Sequence, residues 1–177
     1  MTADVGTNER SGDTRPEAER QLAAAIERHR EVLAALQEPG RPEAGQHVAV
    51  KAVGRAVALV SFALRSARES GVPFDRLVEL TGWEPELVSE AVERAPDPRR
   101  PPARDFVAQL APAGLDLSAV AEAAAGAEAT ARLRELMQRI LTDIDARSHA
   151  PADLVDLYER LDREWRSWRD AREAGQR

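Results

Sequence analysis

The chain contains no cysteine, which excludes a disulfide framework and any thiolate metal site. Aromatic side chains are scarce, three Trp, three Phe and one Tyr among 177 residues, so a core has to be assembled mostly from aliphatic residues and alanine. Lysine occurs once, as Lys51, and the remaining basic charge is arginine. Long hydrophobic runs are missing as well. The longest uncharged apolar stretch lies between Arg55 and Arg65, far short of the roughly 20 residues that span a bilayer. The first twenty residues are polar and charged, without an apolar segment of signal-peptide length. A soluble cytoplasmic protein with no membrane role is therefore expected.

Enzyme signatures are equally thin. The histidines His29, His47 and His149 stand on separate segments, none at the spacing of a metal-binding helix. The ten glycines are scattered, so no phosphate-cradling loop is expected. Acidic pairs such as Asp143 with Asp145 and Asp153 with Asp156 read as solvated helix faces. The expectation is a protein without catalytic function, cofactor or metal. A net charge of −6 argues against coating nucleic acid by bulk electrostatics, and residues 51–105 balance nine basic against nine acidic side chains.

What the chain does have is proline punctuation and helical periodicity. Prolines at 16, 39, 42, 73, 85, 96, 98, 101, 102, 112 and 151 leave long intervals in which a helix can run uninterrupted. Leu22, Ile26, His29, Leu33 and Leu36 recur at spacings of 4, 3, 4 and 3, one stripe of an amphipathic helix. His29 on that stripe reads as a packed seam residue, with a ligand or pH-switch role as the alternative. After "EPGRPEAG", residues 46–70 are apolar around most of a helical circumference, the pattern of a central, buried helix. An all-α fold follows.

The boundaries read from these patterns are a disordered tail over 1–15, an N-terminal helix with a central helical unit over 16–95, a Pro/Arg-rich linker over 96–113, and a helical hairpin over 114–177. "RAPDPRRPPARD" supplies the linker. A long helix is expected from Asp116, as N-cap, through "ARLRELMQRILTDIDARS", with Leu133, Leu136, Met137, Ile140 and Ile144 on its apolar face. A second helix follows "SHAP" and carries Leu154, Tyr158, Leu161, Trp165 and Trp168 at 4, 3, 4, 3 spacing. Two helices so joined should fold back antiparallel. Two tryptophans near a chain end each have on the order of 200 Å² to bury. Leu154, Tyr158, Leu161, Trp165 and Trp168 are thus candidate interface residues of a homodimer, or are capped by the N-terminal stripe.

"GVPFDRLVELTGWEPELVSEAVERA", residues 71–95, has the rhythm of two short helices joined by a turn. Leu77, Val78, Gly82, Trp83, Val88 and Ala91 fall where the helix-turn-helix superfamily places its packing residues and turn glycine, and the stretch from Lys51 to Ala95 resembles that superfamily in its bacterial DNA-binding form. Gly82 suits the positive φ of the turn, Pro85 the first position of a helix, and Gly71 the end of the preceding helix. Val78 is larger than the family's usual small residue, and Thr81 stands where an aliphatic is frequent. The resemblance implies that the second helix meets duplex DNA. Contacts are then expected from Arg65, Arg68, Arg76, Ser89, Arg94, Arg99, Arg100 and Arg104.

Charge complicates that expectation. Glu84, Glu86, Glu90 and Glu93 occupy the second helix, and a unit charge about 7 Å from a phosphate in water is repelled by roughly 0.6 kcal/mol, so three or four such acids cost about 2 kcal/mol. Two functions stand side by side. One is a dimeric DNA-binding regulator or DNA-associated accessory protein. The other is a helical adaptor whose acidic second helix and C-terminal hairpin bind a partner protein without DNA. A continuous basic face beside the second helix would favour the first, and an acidic face the second.

Overall fold

The computed structural model describes residues 14–37, 43–100, 102–146 and 151–175, with the side chains of 43–47 and 143–146 outside that description. Most of the tail read over 1–15, and the side chains of His47, Ile144 and His149, therefore lie outside the described residues. Every regular element described is a helix: α1 (Arg15–Leu36), α2 (Glu43–Glu69), α3 (Phe74–Thr81), α4 (Pro85–Arg94), α5 (Arg104–Gln109), α6 (Leu117–Ala125), α7 (Ala131–Ala146) and α8 (Pro151–Gly175). The all-α class and the helical segmentation follow the proline pattern.

α2 is the axis of the molecule, and two apolar cores lie against it. One face packs with α1, α3 and α4: Val60, Leu64 and Ala67 meet Leu22 and Ile26 of α1, Leu77 of α3 and Val88 of α4. Leu59, on the neighbouring face, joins a second core made by α5 through α8, with Leu110, Leu133, Ile140, Tyr158 and Leu161 at its centre. Phe62 also reaches this side and stacks on Phe106 of α5 at 6.1 Å between ring centroids. A helix apolar on most of its circumference is what such sharing requires.

α2 ends in a paired-bond cap. Val72 N–H donates to the carbonyl of Ala67 and Gly71 N–H to that of Arg68, each at 3.0 Å, while Gly71 takes a φ of 89°. These are the crossed bonds that satisfy the last carbonyls of a helix, and glycine takes the left-handed position without a Cβ penalty. Val72 is then buried in the first core.

Two boundaries differ from the sequence-based expectation. The Pro/Arg-rich segment 96–113 is not an extended linker throughout: Arg104–Gln109 forms α5, and Val107 and Leu110 enter the second core. An apolar pair three residues apart is enough to bury one turn of helix when a core is there to receive it. The long helix expected from Asp116 is broken. Asp116 does cap α6, accepting from Ser118 and Ala119 N–H at 2.9 and 3.2 Å, but α6 stops at Gly126. Thr130 then caps α7 by accepting from Leu133 N–H at 3.0 Å, and Arg134 donates to the carbonyls of Gly126 and Ala127 across the break. α7 and α8 form the expected antiparallel pair, with Thr130 at the start of α7 donating to Glu164 well along α8 at 2.9 Å.

Much of the tryptophan stripe is packed within the chain. Leu154, Tyr158 and Leu161 are buried within the chain's own second core. Trp165 and Trp168 stack on each other at 5.3 Å and pack on that core's edge. Trp168 Nε1 donates to the Glu128 carbonyl at 3.1 Å, and Arg172 lies over its ring at 5.3 Å. The α6–α7 break thus supplies the cover. The N-terminal stripe packs elsewhere, on α2 and α3.

Candidate functional site

The turn-linked pair α3 and α4 is built from local signals. Gly82 has φ 66° and its N–H donates to Val78 at 2.9 Å. Thr81 is buried, and its hydroxyl is fully used: Oγ1 donates towards the carbonyls of Leu77 (2.9 Å) and Val78 (3.1 Å) and accepts from Trp83 N–H (3.3 Å). A threonine is tolerated at this buried position because its hydroxyl is bonded. Pro85 opens α4, with Glu86 in the first turn. Val88 is fully buried and Val92 packs beside it, fixing which face of α4 turns outward.

Trp83 does not lie wholly inside the pair. It is half-buried and meets His29 of α1 edge to face at 5.8 Å. Burial, and then the charge of Arg30, lower the pKa of His29 below its ordinary value. Trp83 also forms one wall of a groove of about 320 Å³ that runs between α2 and α4, floored by Val57, Leu87 and Ala91 and closed by Glu90 and Arg94. Leu87 is 52% exposed and Val57 38%. Glu84, the N-cap, and Glu86, Glu90 and Glu93 of α4 are all exposed, and of these Glu90 lines the groove beside its partner Arg94.

Most of the eight residues expected at DNA have partners within the chain. Arg65 of α2 donates from Nη1 to the carbonyl of Ala95, which closes α4. Arg76 bridges Glu79 (2.7 Å) and Glu19 (3.7 Å). Arg94 pairs with Glu90 one turn earlier, and Arg99 with Glu69 (2.8 Å) and Asp97 (3.3 Å). The backbone N–H of Arg99 and then its guanidinium hold the Asp97 carboxyl below the usual range. Ser89 Oγ lies 3.5 Å from Glu93. Arg68 sits over the Phe74 ring at 6.0 Å. Among the described residues only Arg68, Arg100 and Arg104 of this set have side chains without a carboxylate or carbonyl partner. Two of those three, Arg100 and Arg104, lie beyond α4 in the first half of the 96–113 segment.

Sequence reasoning missed a polar junction where the two cores meet. Arg28 of α1 bonds Glu159 of α8 and lies 3.4 Å from Asp156, while Arg55 of α2 lies 3.8 Å from the same Glu159. Burial opposes the charge on Arg28, but bonding and charge from Glu159 and Asp156 raise its pKa overall. For Arg55, burial dominates and lowers it, with Glu159 only partly compensating. The arginines and the acid are more than a hundred positions apart, and no local pattern signals their meeting.

Among the described residues no group of His, Asp and Glu is arranged to hold a metal ion, and no helix is long and apolar enough to cross a membrane. No family model, curated protein or solved structure matches this chain.

Proposed function

We propose that this chain is a protein-binding module, an adaptor rather than an enzyme, that docks a basic amphipathic helix of a partner protein in the groove between α2 and α4. The observation that carries this is an apolar groove floor, with Leu87 half-exposed, on a helix whose exposed Glu86, Glu90 and Glu93 lie along one side of it. An apolar floor with an acidic rim complements an apolar anchor flanked by Lys or Arg. Burying side chains such as Leu87 and Val57 is worth roughly 1.5–3 kcal/mol each, whereas the same acids set against phosphates cost about 2 kcal/mol in total. The α3–α4 unit keeps the spacing of a helix-turn-helix pair, and in this proposal its second helix serves protein instead of DNA.

The test is fluorescence anisotropy of a labelled synthetic helix carrying Leu at 3- and 4-residue spacing among Arg and Lys, titrated with the full chain. Saturable binding, weakened about tenfold or more by Leu87→Asp, is expected. Absence of binding, or binding that Leu87→Asp leaves unchanged, overturns the proposal.

A further inference from the structure

Away from the groove, in the N-terminal half of α2, the cations are less fully paired. A cleft of about 570 Å³ lies between α2 and the turn from α5 to α6, with Lys51, Gly54 and Arg55 on one wall and Gln109, Pro112 and Leu115 on the other. A smaller recess of about 210 Å³ shares Lys51, Arg55 and Pro112 and reaches Arg163 of α8. The larger volume is in the range of small-molecule sites. Gly54 leaves the wall open, because a Cβ there would meet nothing within 4 Å.

The charges around this cleft are unbalanced. Lys51 and Arg163 have no ion pair among the described residues. Arg55 is only 16% exposed, its carboxylate neighbour Glu159 is already bonded to Arg28, and its Nη1 is buried without an acceptor. Against these stand Asp105, exposed at the start of α5, and Asp162, which is held by Arg166 at 3.0 Å. In a chain of net charge −6, a cleft lined by an unpaired lysine and an arginine with an orphaned Nη1 is the exception. A buried guanidinium with an unsatisfied donor is costly, and an incoming anion relieves that cost.

We infer that this cleft binds an anionic small molecule, its carboxylate or phosphate head beside Lys51 and Arg55 and an apolar body along Pro112 and Leu115. The site is separate from the α2–α4 groove and does not depend on what that groove holds. Lys51 supplies the direct contact, since its ammonium is exposed at the mouth. Arg55, deeper in the wall, supplies positive potential and turns towards the anion when Glu159 is left to Arg28.

The experiment uses the full chain, labelled with nitrogen-15, and follows backbone amides at constant ionic strength. Two probes are titrated, inorganic phosphate and hexanoate, with chloride and hexylamine as controls. Saturable shifts at Gly54 and Leu115 with phosphate, with hexanoate or with both are expected, and which probe binds more tightly assigns the head group. Lys51→Gln, an exposed position, is expected to weaken binding about tenfold without changing the spectrum of the free protein. Arg55→Gln is the second variant, with Arg55→Lys expected to restore part of the loss. The inference is overturned if neither probe gives saturable shifts, if hexylamine shifts the same amides equally, or if Lys51→Gln leaves the affinity unchanged.

Discussion

Arg28 on α1 and Glu159 on α8 are 131 positions apart in sequence and bonded in the fold, and their bond ties the N-terminal core to the C-terminal one. Arg55 of α2 shares the same carboxylate at 3.8 Å. Changing Glu159→Gln leaves two guanidinium groups facing each other. The expected loss of stability is about 1–2 kcal/mol, below the roughly 3–5 kcal/mol of a fully buried pair because these side chains are partly exposed. At this chain length that is a fall of several degrees in Tm. Thermal unfolding followed by circular dichroism checks it. A Tm unchanged in Glu159→Gln would show that the junction contributes nothing to joining the cores.

Gly82 gives a purely backbone prediction. Its φ of 66° is left-handed, and an added Cβ would meet no atom within 4 Å, so Gly82→Ala carries conformational strain without a clash. A cost of about 1 kcal/mol is expected, and roughly half of that for Gly82→Asn, because asparagine visits this region more readily. Urea titration of the three proteins measures the order. Equal stability of the alanine and asparagine variants would contradict it.

His29 sets a pH dependence. Its folded pKa is below the ordinary 6.5, so the unfolded chain takes up this proton first. Stability from this group is present above the unfolded value of about 6.5 and is lost as the pH falls below it through the lower folded pKa. Tm is expected to drop between about pH 7.5 and pH 5.5, and His29→Gln is expected to reduce the drop. An identical drop in the variant would place the effect on other groups.

How much of this was legible in the sequence depends on the range of the signal. Gly71, Gly82 and Pro85 announce the end of α2, the end of α3 and the start of α4 within fourteen positions, and each acts through its own φ or missing N–H, so the turn-linked pair and the acids of its second helix could be read directly. α5 could not, because six residues among prolines give less than two turns of periodicity, and what makes them helical is the core that Val107 and Leu110 enter. The α6–α7 break was hidden for a related reason: Gly126 in an alanine-rich run costs little locally, and the reason to bend is Trp168, which takes the Glu128 carbonyl from 40 positions away. The partners of the arginines expected at DNA were not legible either. Sequence shows that Arg65, Arg76, Arg94 and Arg99 are charged, but only the fold shows that Ala95, Glu79, Glu90 and Glu69 already hold them.

The central claim, that α4 faces a basic partner segment and not DNA, is tested most directly by titrating wild-type protein and Glu86→Gln, Glu90→Gln protein with two ligands at the same salt: the labelled Leu/Arg/Lys helix and a labelled random-sequence DNA duplex. The account predicts that wild type binds the helix more tightly than the duplex, and that neutralising the two acids weakens the helix several-fold while strengthening the duplex by a similar factor, since each charge is worth about 0.6 kcal/mol in either direction. Tighter binding of the duplex by wild type, falling steeply with added salt and insensitive to the two acids, would contradict it.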